Sequence, residues 1–577
     1  MAQASRALAR CPRHSVGAAI GRAKGVADRR SLTCVMGWNI PHVHVPAIHL
    51  PTTVKFWKKS AHLKDFERQL ESDIGKISLS GRYHRFPRQI GDDYQISKHV
   101  LGRGYSGEVK MATYAGPGHA GQKVAVKVLR LDHIAASKVE QLKSEVENFL
   151  RMDHPHITRL YDVYESKDSL SLVMECMEGG ELFDRISEKK RFSEEDASHA
   201  LWQMLLALNY IHSHGIVHRD IKLENFLYDA LGSRTLKLID FGFSKMVDDP
   251  AEKMSTGLGT IAYVAPEVLK HSYTSQCDLW SLGVISFILI SGYMPFTGTG
   301  QAQVKKILSG QFKLKPERWQ NVSTETKGFV QSLLEVDPGK RLTAKAALQH
   351  PWIARHHRCD GKVDAGVVKA LQQFGHVCKF RRCCMEIMAW SLTNEQRAKV
   401  CEYFYSLDTS SQGTISLAEL RRAMKHLGIS DEAEVQNVFE ALDSNQDHEI
   451  HYSDFLAAMV STKIELDDEL MRSTFKKFDT NSSGFITSEN VRDILGDTFE
   501  GEHVEELMEE AGFNDQDGIC YGEFEAFLKR TSTPIPSGED RRVDHAAREG
   551  GSPSSKLGCI LREISTRFIC GATPSRV

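Results

Sequence analysis

The chain has 577 residues, of which 26% are charged and 41% hydrophobic, and its formal net charge is −2. That balance suits a globular chain of several domains and excludes a fibrous or wholly disordered one. It leaves no overall basic footprint for nucleic acid, and the longest apolar run, around Val284–Ile290, is far short of the roughly 20 residues of a membrane helix.

Residues 1–35 carry Arg6, Arg10, Arg13, Arg22, Lys24, Arg29 and Arg30 against the single acid Asp28. A transit peptide, a disordered arm and an extension upstream of Met36 all stay open. Met36–Gly37 would expose a glycine, but Pro41 stands where a myristoylation signal wants Ser or Thr. The 12 cysteines are scattered and no secretory signal precedes them, which reads as reduced thiols in an intracellular, chiefly cytoplasmic protein. Organellar placement and weak membrane association through the termini stay open. Residues 1–93, with one amphipathic run at Phe56–Leu70, are expected to be a largely disordered extension.

From Tyr94 to Trp352 strand and helix patterns alternate, and four motifs follow in order. The first is Gly102-Arg103-Gly104-Tyr105-Ser106-Gly107-Glu108-Val109, whose glycines let a β-turn-β backbone lie against phosphates. Next, Val124-Ala125-Val126-Lys127 gives a strand with one lysine, and Glu145 on the following helix supplies a carboxylate to hold it. In His218-Arg219-Asp220-Ile221-Lys222-Leu223-Glu224-Asn225, Asp220 can accept a hydroxyl proton, Lys222 can neutralise a transferring phosphoryl group and Asn225 can hold magnesium. Asp240-Phe241-Gly242 offers an aspartate to bridge metal and phosphate oxygens, and Ala265-Pro266-Glu267 is followed by Arg341 as a partner for Glu267.

With these motifs, residues 94–352 resemble a eukaryotic protein kinase of the calcium/calmodulin-dependent group. The resemblance implies a bilobal α+β fold using ATP and Mg²⁺. Leu101, Gly102, Gly104, Gly107, Val109 and Ala125 would enclose the nucleotide, with Lys127, Asn225 and Asp240. Leu172–Met177 would be the hinge, with Glu175 and Met177 at the adenine and Met174 as gatekeeper. Lys222 and Thr260 match serine/threonine rather than tyrosine kinases. Glu181 and Glu224 match positions that receive a basic residue three before the phosphorylated one. Relatives often carry an acid where this chain has Thr256, so phosphorylation of Thr256 or Ser255, paired with Arg219, is expected for full activity.

Residues 353–395 form the next segment. Val363, Val367, Leu371, Phe374, Val377, Phe380 and Ile387 recur at helical spacing with Lys369, Lys379, Arg381 and Arg382 between them, which predicts one basic amphipathic helix over 362–390. Residues 396–530 contain an internal repeat led by Asp408, Asp443 and Asp479, at intervals of 35 and 36 residues, with a damaged fourth copy ending at Glu523-Phe524.

A calcium loop of this period supplies oxygens at positions 1, 3, 5, 7, 9 and 12, with glycine at 6. The first copy offers Asp408, Ser410, Gln412, Thr414 and Glu419 around Gly413. The second offers Asp443, Asn445, Asp447, Glu449 and Asp454, but His448 replaces the glycine and must take a positive φ. The third has Asp479, Asn481, Ser483 and Phe485 around Gly484, yet Asn490 closes it with a neutral amide. In the fourth, aligning Ile519 and Glu523 puts Gly512 at position 1 and Asp517 where glycine belongs, while aligning Asp517-Gly518 makes the loop one residue short, so that copy is expected to keep the shape without the metal.

Kinase, basic helix and four repeats together resemble the calcium-dependent protein kinases of plants and alveolate protists, over residues 94–530. The resemblance implies an all-α calmodulin-like EF-hand domain with two lobes after the kinase. It also implies Ca²⁺ as a regulator, and a junction helix that occludes the kinase until the loaded hands pull it away. Protein substrates would carry basic residues before the phosphosite. An active kinase with largely structural hands, or a calcium-binding scaffold that docks through its kinase fold, stay open as alternatives. Residues 531–577 read as a tail, disordered to about Lys556, with an amphipathic stretch between Cys559 and Cys570.

Overall fold

The computed structural model describes residues 82–530 apart from 86, 105–106, 117–120, 132–141, 143–144, 243, 248–253, 255–260, 357–362, 461, 500–501 and 514–517. The arginine-rich arm, the run Phe56–Leu70, Ser255, Thr256, Thr260 and the C-terminal tail lie outside the described residues.

Six strands build one sheet in the order β1-β5-β6-β4-β3-β2. They are β1 (Tyr83–His84), β2 (Tyr94–Gly104), β3 (Gly107–Tyr114), β4 (Lys123–Arg130), β5 (Leu160–Glu165) and β6 (Ser169–Glu175). Val124, Val126 and Val173 are buried against Tyr94 and Tyr164, as β-branched residues on a packed pleat should be. β1 runs parallel to β5 and lies within the stretch 1–93 expected to be largely disordered, so order begins earlier than the sequence suggested. The reason is long-range. Arg82 is buried, its Nη2 donates to the Leu150 carbonyl at 2.8 Å, and its guanidinium lies 3.8 Å over the Trp390 ring.

The second lobe is helical. Helix α1 (Glu194–Ser213) starts where Ser193 Oγ accepts the Asp196 N–H, with three acids in its first turn opposing the macrodipole. Helix α2 (Gln276–Ser291) is buried along its whole length, and each large apolar side chain there contributes about 1.5–3 kcal/mol. It stops at Gly292, whose φ of 73° is left-handed and where a Cβ would stand 2.3 Å from the Lys190 carbonyl oxygen. Between the lobes lie the short strands β7 (Phe226–Tyr228) and β8 (Leu236–Leu238). Among the described residues no helix is long and apolar enough to cross a membrane.

The expected single helix after the kinase is two, α3 (Ala365–Gly375) and α4 (Lys379–Ser391). Cys378, at φ −58° and ψ 148°, leaves the helical conformation and starts α4, while Gly375 lets α7 (Glu432–Leu442) pack close to the end of α3, since a Cβ there would meet Val438 Cγ2 at 3.1 Å. With α7, the helices that follow the junction among the described residues are α5 (Asn394–Leu407), α6 (Leu417–His426), α8 (Tyr452–Met459), α9 (Asp468–Phe478), α10 (Ser488–Leu495), α11 (Val504–Glu510) and α12 (Tyr521–Lys529). They pair as two lobes. Ile415 and Ile450 exchange N–H···O bonds of 2.9 and 3.0 Å in the first, and Ile486 pairs with Ile519 in the second. That second register places Gly512 at position 1 of the fourth loop, as the alignment on Ile519 required.

The junction helices share one core with both lobes. Phe380 is fully buried among Phe478, Phe513 and Phe527, at centroid distances of 5.8, 6.2 and 5.7 Å. Its basic flank is met by polar groups: Lys379 pairs with Glu502 at 2.9 Å, and Arg381 donates to the carbonyls of Leu528 and Arg530 at 2.8 and 2.6 Å. On the other lobe Gln372 and His376 both reach Glu434 Oε1 at 3.0 Å.

Candidate active site and calcium loops

Register in the first sheet brings the expected groups together. Gly102 pairs with Val109, Val109 with Lys127, and Ala125 with Met174, so Leu101, Val109, Ala125 and the gatekeeper position share neighbouring strands. Gly104 pairs with Gly107, whose φ is 141° and where a Cβ would meet the Val128 carbonyl oxygen at 3.0 Å. Lys127 forms a close ion pair with Glu145 and lies 2.9 Å from Asp240 Oδ1. Burial alone would lower the Lys127 pKa, but Asp240 and Glu145 raise it, so it stays charged. Burial likewise opposes the Asp240 charge, and Lys127 holds that carboxyl below its usual value. Asp240 sits at a φ of 65°, a strained conformation found mostly at functional sites. Phe241 is buried, stacked on Phe149 and edge-on to His218.

The catalytic loop is equally constrained. Asp220 is ion-paired with Lys222, and Asn225 Nδ2 donates to the Asp220 carbonyl at 2.8 Å. Sequence reasoning missed the group that holds this loop, Asp278 on α2. Its buried carboxylate accepts the N–H groups of His218 (3.0 Å) and Arg219 (2.9 Å) and pairs with His212 at 2.9 Å. Burial opposes its charge, yet those donors keep its pKa low. Arg219, at a φ of 67°, donates to the Ser244 carbonyl at 3.2 Å; its expected partner Thr256 lies outside the described residues. Glu181 bridges Leu227, which brings it to the strand that follows Glu224. Glu224 Oε2 is buried without a hydrogen-bond partner, and burial raises its pKa. Glu267 and Arg341 form the expected pair, two bonds of 2.5 and 3.0 Å in the interior.

Three repeat loops share one backbone. Gly413, His448 and Gly484 have φ of 83°, 68° and 84°, so His448 takes the expected left-handed conformation. Asp408 accepts the N–H groups of Gln412 (3.0 Å) and Gly413 (2.7 Å), and Asp443 and Asp479 do the same in their loops. The loops differ in how they close. Glu419 Oε1 turns inward to the Ser410 N–H at 2.8 Å while Oε2 caps Ser416 at 3.0 Å. Burial, with Glu419 nearby, pushes the Asp408 pKa up to about 7. The inward carboxylates of Asp408 and Glu419, with the oxygens of Ser410, Gln412 and Thr414, are a donor set that would suit a divalent cation.

In the second loop Asp443, Asn445, Asp447, Glu449 and Asp454 are in place, but His451 at position 9 competes. Its Nε2 lies 2.7 Å from Asp447 Oδ2, and although burial disfavours the cation, Asp447 holds its pKa up at about 9. In the third, Asn490 Oδ1 caps the helix by accepting the Thr487 N–H at 3.1 Å, and its Nδ2 turns inward to donate to Thr480 Oγ1 at 2.8 Å, so a donor faces Asp479, Asn481, Ser483 and Phe485 where the first loop has a carboxylate oxygen. A cation needs Asp408 ionised, so binding should release a proton, and apparent affinity should fall by up to about tenfold per pH unit below about pH 7. Calorimetry in buffers of different ionisation enthalpy checks this; a heat independent of buffer contradicts it.

The first lobe and the junction face the kinase directly. Ser453 N–H donates to Asp153 Oδ2 at 2.6 Å, Tyr405 Oη meets His156 Nε2 at 2.8 Å, and Asn209 Nδ2 donates to the Ser411 carbonyl at 2.5 Å. The guanidinium groups of Arg82 and Arg159 lie 3.8 and 4.2 Å over the Trp390 ring, and Arg159 Nη1 donates to the Ala389 carbonyl at 2.8 Å.

Residues 95–353 match the family model described as protein kinase domain, 397–460 that of an EF-hand domain pair and 471–489 that of an EF hand. Calcium-dependent protein kinase 3 of Plasmodium berghei (strain Anka) is 32% identical over 433 residues, covering 74% of this chain and 76% of its own. Calcium-dependent protein kinase 17 of Arabidopsis thaliana is 34% identical over 451 residues, covering 77% and 85%. Calcium-dependent protein kinase 5 of Plasmodium falciparum (isolate 3D7) is 32% identical over 448 residues, covering 76% and 78%. ATP and Mg²⁺ serve the kinase domain and Ca²⁺ the EF-hands. The chain belongs to the calcium-dependent protein kinases, and it is a calcium-regulated serine/threonine kinase.

Proposed function

We propose that calcium acts here by moving the junction, and that the kinase phosphorylates Ser/Thr with a basic residue three positions before it. The observation that carries this reading is the grip of both EF-hand lobes on α3 and α4. A basic amphipathic pair held in this way is unavailable to the substrate cleft, and at low calcium the looser lobes release it to occlude that cleft. The described cysteines are free thiols, which suits a reducing intracellular compartment.

In this account magnesium and ATP supply the reactive phosphoryl group and neutralise its charge. Lys127, fixed by Glu145, would orient the nucleotide phosphates, Asp240 and Asn225 would hold the metal, and Asp220 would take the hydroxyl proton while Lys222 steadies the transferred group. The Glu175 carboxylate is committed elsewhere, to Lys237 and Arg397, so its contact with adenine falls to the backbone. The buried, unpartnered oxygen of Glu224 and the nearby Glu181 suit an arginine side chain.

Two serine peptides differing only by Arg or Ala three residues upstream test the preference; equal kcat/KM for both would overturn it. Glu419→Gln removes one charged ligand from the first loop and should raise the half-activating calcium about tenfold or more, equivalent to roughly 1.4 kcal/mol. An unchanged calcium midpoint would remove the first loop from the switch.

A further inference from the structure

Behind the hinge, one buried carboxylate ties three parts of the molecule together. Glu175 ends β6, is 3% exposed, and pairs through its backbone with Val124 on β4. Its Oε1 lies 2.9 Å from Lys237 Nζ on β8, three residues before Asp240, and its Oε2 accepts the Arg159 N–H at 3.1 Å. The remaining partner comes from the calcium-sensing domain: Arg397 Nη2 on α5 reaches Glu175 Oε1 at 2.6 Å, and Arg397 is 5% exposed. Asn394 accepts a further Arg397 bond within α5.

This arrangement is asymmetric. Without Arg397, Glu175 keeps Lys237 and the Arg159 N–H, so the kinase lobe alone has no orphaned charge. Arg397 gives up its water on docking, and the hinge carboxylate is what replaces it. The contact therefore braces the end of β6, whose backbone is proposed above to meet adenine, and does so only when the sensor is docked.

The geometry points to Arg397 as a positioning residue for nucleotide binding: by holding the Glu175 carboxylate from behind, it couples sensor docking to the affinity for ATP. This rests on the calcium-dependent docking proposed above. Linkage makes the coupling reciprocal, so saturating nucleotide strengthens docking by the factor that docking gains in ATP affinity and thereby lowers the calcium needed for it.

The test compares the full chain with Arg397→Gln and Arg397→Lys at saturating calcium and in chelator. At saturating calcium Arg397→Gln should raise KM for ATP about fivefold or more with kcat changed less than about twofold, and Arg397→Lys should recover part of the loss. In chelator, wild type and variant should share one KM for ATP. The calcium midpoint, read with and without saturating ADP, should shift in the wild type and not in Arg397→Gln. An unchanged KM for ATP in Arg397→Gln that is still calcium-stimulated overturns the coupling and leaves the switch standing. A fall in kcat without a KM change, unrescued by lysine, also overturns it. A wild type indifferent to calcium would sink the switch itself, while the KM comparison still decides the role of Arg397.

Discussion

Asp220→Asn should lower kcat by roughly 10²–10⁴-fold, the usual worth of a positioned general base, while leaving KM for ATP within about threefold. The amide is isosteric and gives up the charge of the Lys222 pair, but the bond from Asn225 Nδ2 goes chiefly to the Asp220 backbone carbonyl, so the loop keeps its shape. The anchors of that loop, the Asp278 carboxylate and its two backbone donors, are untouched. The loss should thus fall on chemistry and not on nucleotide binding. Single-turnover phosphoryl transfer measures it, and retention of more than a tenth of the wild-type rate would exclude Asp220 as the base.

Arg341→Ala should cost about 3–5 kcal/mol, because it strands the buried Glu267 carboxylate. Arg341 also donates to the carbonyls of Gln276 (2.6 Å) and Glu335 (3.0 Å), so the substitution removes an anchor of α2 as well as a charge. Urea inactivation gives the readout, with the midpoint moving well below that of the wild type. Replacing both partners, Glu267→Met with Arg341→Leu, should recover much of the loss, since two apolar groups leave no charge behind. A single variant within about 1 kcal/mol of wild type would contradict the buried-pair account.

These two effects concern residues legible in the sequence. Phosphoryl transfer demands particular residue types at fixed spacing, so Lys127, Glu145, Asp220, Asn225 and Asp240 stood out before any fold was drawn. The loops were legible for the same reason: the position that glycine normally fills required a left-handed His448, which has a φ of 68°. What stayed hidden is what distance in the chain hides. Arg397 and Glu175 are 222 residues apart, and nothing in the period of α5 marks one of its polar residues as a hinge partner. Trp390 only closes the helical range expected over 362–390, although Arg82, ahead of the kinase domain, and Arg159, within it, both meet its ring. The break between α3 and α4 was masked because the apolar spacing runs on through Val377, and Gly375 alone was weak evidence for a stop. His451 carries no signal in the sequence, because position 9 is often filled through water and its side chain is not fixed by the loop pattern.

Initial rates on a serine peptide with Arg three residues upstream, measured for the full chain from chelator through a free-calcium titration, test the central claim most directly. The account predicts low activity in chelator and a rise that saturates with calcium, its midpoint moving to higher calcium as pH falls below about 7. Full activity in chelator, unchanged by calcium, would contradict it.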